Sequence, residues 1–104
     1  MECQEIFGPV VTVRPYDDFE AAVRIVNDSP YGLQSGIFTH DIRLIHHAYR
    51  ILEVGGVIVN DYPTLRIDNM PYGGIKDSGL GREGLRSSLE EMTEVKMLVL
   101  NTRH

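Results

Sequence analysis

Apolar residues recur along the chain with two different periods, which predict alternating helices and strands. Spacings of i, i+3, i+4 and i+7 predict a helix at about 18–28, a second that Asp41 begins and Gly55 ends, and a third at about 82–92. Short β-rich runs predict strands at 10–16, 35–39, 57–60 and 94–100. This alternation is typical of an α/β fold with a parallel sheet, flanking helices and right-handed crossovers.

The predicted last strand is apolar on both faces and has no hairpin partner next to it in sequence. Its two faces consist of Val95, Met97 and Val99, and of Lys96, Leu98 and Leu100. Such a strand either inserts into its own sheet or pairs with the edge of another subunit. We favour pairing between subunits and therefore expect a homo-oligomer.

Composition excludes several classes of partner. With 104 residues, 42% of them apolar and 24% charged, the chain suits one small globular domain. Its net charge of −5 argues against a nucleic-acid surface, which needs clustered Lys and Arg. No apolar run reaches the length of a membrane span. The single cysteine, Cys3, excludes an internal disulfide and fits a cytoplasmic protein.

Residues 69–83 hold four of the ten glycines. Such density is tolerated where the backbone needs positive φ or lets another group approach closely, so we expect a loop shaped against a site or a subunit contact. The segment 79–84 matches the G-x-G-x-x-G dinucleotide fingerprint, but it follows a loop, and the twenty residues after it leave no room for a second strand with the required acid. We interpret it as the entry to a helix. A small anion-binding domain built on this loop is a less favoured interpretation.

Near the other end, Glu5 and Phe7 stand before a predicted strand and are fixed by the dipeptide 8–9, Gly-Pro. A carboxylate accepts two hydrogen bonds from the vicinal hydroxyls of a ribose, so the pair can offer an acid and a ring to one nucleotide. We then expect the carboxylate to face a groove bordered by the glycine-rich loop. The plainer interpretation is an exposed Glu and a core Phe.

Several motifs in register from Glu5 to Leu100 closely resemble the C-terminal part of the NAD(P)-dependent aldehyde dehydrogenases. They are the hexapeptide 5–10, the group Asn27, Tyr31-Gly-Leu and Phe38-Thr39, the strand Gly56-Val-Ile-Val-Asn60, and the stretch 71–83. The resemblance implies a partial parallel open sheet with flanking helices. Residues 1–93 would form the C-terminal segment of the catalytic domain, and residues 94–104 its oligomerisation strand and tail.

The activity that the resemblance implies is oxidation of an aldehyde to a carboxylic acid with NAD or NADP. A cysteine thiolate forms a thiohemiacetal and then a thioester. Glu5 matches the glutamate that holds the nicotinamide ribose, and Phe7 matches the aromatic residue that packs against that ribose and the ring. The matched Lys76 and Gly79 hold a monovalent cation through their backbone in some members, and the matched Glu83 is proposed to relay protons.

Leu65, Arg66 and Tyr72 fall in the segment that the resemblance assigns to the aldehyde tunnel. A cation there can bind an anionic group of the substrate, such as a carboxylate or phosphate. The other interpretation is an arginine paired with Asp68 or Asp61, the acids nearest to it in sequence.

Most of such an enzyme would lie upstream of Glu5, including its nucleophilic cysteine, general-base glutamate, oxyanion asparagine and cofactor domain. Cys3 precedes the ribose motif too closely to be that nucleophile, and its neighbouring carboxylates raise a thiol pKa. We therefore expect the isolated chain to be inactive and to bind NAD weakly or not at all. The alternative function is a non-catalytic module that associates with itself through 94–100.

No metal site is expected. His46 and His47 are adjacent on a predicted helix, so their side chains diverge by about 100° and cannot chelate one ion.

Overall fold

The structure, a computed structural model, describes residues 4–102. In chain order its elements are α1 (Phe19–Asn27), β1 (Tyr31–Gly32), β2 (Gln34–Ile37), α2 (Ile42–Ile51), β3 (Gly56–Val59), β4 (Ile75–Lys76) and α3 (Leu85–Met92). The predicted α/β class is confirmed, and each predicted helix is present with ends shifted by a few residues.

Two small sheets hold these elements together. Strands β2 and β3 pair in parallel, from Gln34 beside Gly56 to Ile37 beside Val59, with α2 as the connection between them. Strands β1 and β4 pair antiparallel, which brings the middle of the glycine-rich loop back beside the turn that follows α1. Within residues 4–102 the parallel sheet consists of this one pair of strands, and the partial open sheet that the resemblance implies stays a prediction.

The side chain of Asn60 extends the parallel pair by one further rung. Its Oδ1 accepts from the Thr39 N–H at 2.8 Å, and its Nδ2 donates to the Thr39 carbonyl at 3.0 Å. Asn60 has a φ of +57°, a left-handed conformation that asparagine tolerates better than most residues. The strand therefore turns away at Asn60 without losing its partner.

Aspartates begin the first two helices. Asp18 accepts from the Ala21 N–H at 2.9 Å and caps α1. Asp41 accepts from the Arg43 N–H at 2.9 Å and begins α2 as predicted. The hydrogen bonds from the Arg43 side chain and backbone lower the pKa of the Asp41 carboxyl below its ordinary value.

Two predicted strands, at 10–16 and 94–100, are not strands in the structure. Both have the right side chains but no neighbouring strand among residues 4–102, and an unpaired strand leaves its backbone groups to water. Their apolar side chains stand in solvent: Val13 is 90% exposed and Val95 fully exposed. The side-chain pattern of these two segments favours a strand, but residues 4–102 contain no strand that pairs with either of them.

The core is very small for a chain of this length. Its buried apolar residues among 4–102 are Val23, Ala48 and Ile58, one each from α1, α2 and β3. The accessible surface is 9221 Å², whereas a compact monomer of this length exposes about 5,900 Å². The radius of gyration is 19.1 Å, against about 13 Å for a compact domain. Much apolar surface is thus left uncovered.

Lys76 joins three separate segments. Its ammonium donates to the carbonyl oxygens of Asn27 at 2.6 Å and Ser29 at 3.3 Å, and lies 3.1 Å from Glu53 Oε2. The Asn27 side chain in turn donates to the Ile51 carbonyl at 2.8 Å and accepts from the Glu53 N–H at 2.9 Å. The ends of α1 and α2 and the glycine-rich loop therefore meet at one cation, placed at the negative end of the α1 dipole.

Glycine is required where this loop touches the rest of the fold. A Cβ on Gly55 would lie 1.8 Å from the Gly73 carbonyl oxygen, so the two backbones approach too closely for any side chain. Gly84 has a φ of +115°, and a Cβ there would lie 2.7 Å from the Met70 carbonyl oxygen. The loop is therefore shaped by close backbone approach within the chain, and its contact with a site or another subunit stays a prediction.

We expect Lys76→Met, which keeps much of the side chain but removes its charge, to lower the local stability of this junction by about 1–3 kcal/mol. The carbonyls of Asn27 and Ser29 would lose their charged donor. Amide hydrogen exchange at Asp77, whose N–H donates to the Pro30 carbonyl at 3.0 Å, measures the change.

The matched control is Lys96→Met, because Lys96 is an exposed lysine outside the junction. Equal protection of the Asp77 amide in Lys76→Met and in the unmodified chain would contradict the role given to the ammonium.

Candidate functional site

Glu5 lines a groove of about 500 Å³ that reaches the glycine-rich loop. The opposite wall includes Tyr31 and Gly32 of β1 and Ser78, whose Oγ accepts from the Gly32 N–H at 2.9 Å. Glu5 is exposed on this groove rather than buried among aliphatic side chains. Its carboxylate is therefore accessible to a hydroxyl-bearing ligand.

Phe7 stands out from the surface rather than in a core. Its side chain is 93% exposed, and its φ of +52° is unusual for an aromatic residue. With Glu5, Gly8 and Thr12 it lines a second, smaller hollow of about 310 Å³. The interpretation of Phe7 as a core residue is wrong. An acid and an accessible ring stand two residues apart, as the ribose hypothesis requires.

A second cluster brings together three of the predicted site residues. The Arg66 guanidinium carbon lies 4.8 Å from the centre of the Tyr72 ring, within the range of a cation–π contact. One of its nitrogens, Nη2, donates to Glu83 Oε2 at 2.9 Å. We call Arg66, Tyr72 and Glu83 the arginine cluster. It places a cation, a ring and a carboxylate in one exposed patch.

The backbone fixes this cluster from two sides. Tyr72 and Glu83 form an antiparallel bridge, in which each N–H donates to the other's carbonyl, at 3.0 and 2.6 Å. The loop that carries Arg66 is held through its neighbour Leu65, whose carbonyl accepts from Gln34 Nε2 of β2 at 3.2 Å. Leu65 itself is about one-third exposed.

Sequence reasoning expected the wrong acid beside Arg66. Asp61 and Asp68 are the acids nearest to Arg66 in sequence, whereas the carboxylate that pairs with Arg66 is that of Glu83, 17 residues away. The bridge between Tyr72 and Glu83 folds the glycine-rich stretch back on itself, and nothing in the local sequence spacing shows that pairing.

Other candidate residues have structural contacts. The Lys76 ammonium is bound at the junction described above, and the Lys76 carbonyl accepts from the Gly79 N–H at 3.5 Å. His47 contacts the Glu20 carboxylate and lies with its ring 6.2 Å from that of Phe19. Within residues 4–102 there is no group of three His, Cys, Asp or Glu side chains that could hold a metal ion. Cys3 lies outside the described residues.

Comparison with known proteins decides the family. Residues 1–98 match the model of the aldehyde dehydrogenase family. The chain belongs to the aldehyde dehydrogenase family.

Among its relatives in that family is the 3-sulfolactaldehyde dehydrogenase of Priestia aryabhattai, 52% identical over 98 residues, which are 94% of this chain and 20% of that protein. The lactaldehyde dehydrogenase of Methanococcus vannielii is 53% identical over 97 residues, 93% of this chain and 21% of that protein. The crystal structure of aldehyde dehydrogenase 21 of Physcomitrella patens, in complex with the reaction product succinate, is 54% identical, with a TM-score of 0.89 over 93% of this chain and 20% of that one.

The chain thus spans about a fifth of the length of the relatives it matches. The predicted resemblance of this chain to part of an aldehyde dehydrogenase is confirmed. No helix within residues 4–102 is long and apolar enough to cross a membrane.

Proposed function

We propose that the chain is the C-terminal segment of the catalytic domain of an aldehyde dehydrogenase that oxidises an anionic aldehyde to a carboxylic acid with NAD(P). The family match over residues 1–98 carries the family and the reaction, and the exposed guanidinium of Arg66 supports the anionic substrate class. The nucleophilic cysteine and the cofactor domain belong to other parts of the enzyme. This segment contributes one edge of the cofactor site and one side of the aldehyde entrance.

At the cofactor edge, the Glu5 carboxylate accepts hydrogen bonds from the nicotinamide ribose, and the Phe7 ring packs against the sugar. The accessibility of both side chains supports these roles. When bound, NAD(P) supplies the acceptor for the aldehyde hydride. Glu5 and Phe7 orient it and take no part in bond breaking.

At the aldehyde entrance, Arg66 binds the anionic group of the substrate, beside Leu65 and Tyr72. Two matched proteins support an anionic substrate class: one is named for 3-sulfolactaldehyde, and one was crystallised with succinate. Another is named for lactaldehyde, which is neutral. In our proposal Arg66 therefore favours an anionic aldehyde over a neutral one. A guanidinium matches a carboxylate or sulfonate through paired N–H donors.

The exposed arm 94–100 pairs with the sheet edge of another subunit. Five of its side chains are large, apolar and at least three-quarters exposed: Val95, Met97, Leu98, Val99 and Leu100. Exposed apolar area of this extent is usual for an interface. The same surface favours the second candidate function, a non-catalytic self-associating module.

The isolated chain is expected to have no dehydrogenase activity and to bind NAD weakly or not at all, because Glu5 and Phe7 provide a single edge of the pocket. Isothermal titration calorimetry with NAD and NADP measures this. Binding in the micromolar range would contradict the expectation.

Self-association is tested by multi-angle light scattering over a range of chain concentrations. We expect dimers or larger species, reduced when Val95 and Val99 are both changed to Lys, because charge on the arm opposes its burial. A clean monomer of the unmodified chain at high concentration would exclude the self-associating module.

Substrate selection is tested in a full-length enzyme, in which this chain replaces the matching C-terminal fifth of the Priestia aryabhattai protein. We expect Arg66→Met to lower kcat/KM for 3-sulfolactaldehyde by about 10- to 100-fold, since a hydrogen bond to a charged group is lost. Turnover of neutral lactaldehyde should change little.

The control is Arg86→Met, because Arg86 makes a comparable exposed ion pair, to Glu90 at 2.8 Å, on α3. An equal loss for both aldehydes in Arg66→Met would argue that Arg66 supports the fold rather than the choice of substrate.

A further inference from the structure

We propose that Glu83 is a specificity-determining residue. Its carboxylate pairs with the Arg66 guanidinium when no substrate is bound, and the anionic group of the substrate displaces it. The inference rests on the proposed function, in which Arg66 binds the anionic end of the aldehyde. It assigns Glu83 to competition for a cation rather than to proton transfer.

The exposure of the Arg66–Glu83 ion pair allows another anion to replace the Glu83 carboxylate. Nη2 of Arg66 lies 2.9 Å from Glu83 Oε2, with the two side chains 52% and 63% exposed. Ion pairs this exposed are weak, because water and salt screen both charges. A carboxylate or sulfonate entering from solvent offers the guanidinium the same kind of oxygen acceptor, without the need to bury or unfold any element.

The Tyr72 ring keeps Arg66 in place during the exchange. The guanidinium carbon lies 4.8 Å from the ring centre, a contact that does not depend on the Glu83 carboxylate. The bridge between Tyr72 and Glu83 is made by backbone groups and also survives rotation of the Glu83 side chain. The cation therefore stays positioned while its partner changes.

Competition and proton relay predict different kinetics. If Glu83 competes, removing its charge tightens binding of anionic aldehydes and leaves the chemical step unchanged. If Glu83 relays protons, removing its carboxylate slows turnover of every aldehyde, whatever its charge.

The test is Glu83→Gln in the full-length enzyme that carries this chain as its C-terminal fifth. We expect KM for 3-sulfolactaldehyde to fall by about 1.4- to fivefold, the range that follows from release of one exposed ion pair. The expected kcat is unchanged, as is KM for lactaldehyde. A fall in kcat for both aldehydes, or an unchanged KM for 3-sulfolactaldehyde, would overturn the proposal.

The matched control is Glu90→Gln, which breaks the exposed Arg86–Glu90 pair on α3 and should leave both KM values unchanged. A shift of equal size in this control would show a general effect of net charge and overturn the role of Glu83.

A second measurement needs no turnover. Succinate is titrated into the chain itself, with and without Glu83→Gln, and binding is followed by NMR at the Tyr72 ring and the Arg66 side chain. Tighter succinate binding in the variant supports the exchange, and equal affinity overturns it. Absence of turnover in the grafted enzyme, together with tighter succinate binding here, would count against the proposed function and leave the exchange supported.

Discussion

One cation, the partly buried Lys76 ammonium, fixes how the segments of this chain meet. The carbonyls at the end of α1 and in the turn after it, together with the Glu53 carboxylate behind α2, converge on that cation. Because Lys76 lies in the glycine-rich loop, the same contact holds the loop that carries Ser78 against the Glu5 groove. In a chain with so little hydrophobic core, a charge shared by three backbone segments substitutes for packing.

The two candidate sites differ in how far contacts within this chain fix their side chains. Glu5 and Phe7 lie in an exposed segment without regular secondary structure, so contacts within this chain do little to fix their positions. The arginine cluster is closed by contacts within this chain, through a backbone bridge and a ring under the guanidinium. The arginine cluster is thus complete within this segment, whereas the edge that we propose for the cofactor is not.

Helical periodicity and capping residues predicted the three helices, because those signals are local. The strand predicted at 57–60 appears as β3, since a partner, β2, is present nearby. The strands predicted at 10–16 and 94–100 failed, because pairing is a property of two segments and sequence describes one at a time. The pairing of Arg66 with Glu83 was missed for the same reason: it follows from a long-range bridge in a loop without periodicity.

Asn27 and Asn60 do similar work at different places in the fold. Each presents one donor and one acceptor to main-chain groups, so that an amide imitates a missing backbone rung. Aspartate has nearly the same shape but no donor, and leucine has neither group. Aspartate at either position would therefore place an oxygen against a main-chain carbonyl oxygen, and leucine would leave both main-chain groups without this partner. Both asparagines should be kept when this segment is redesigned.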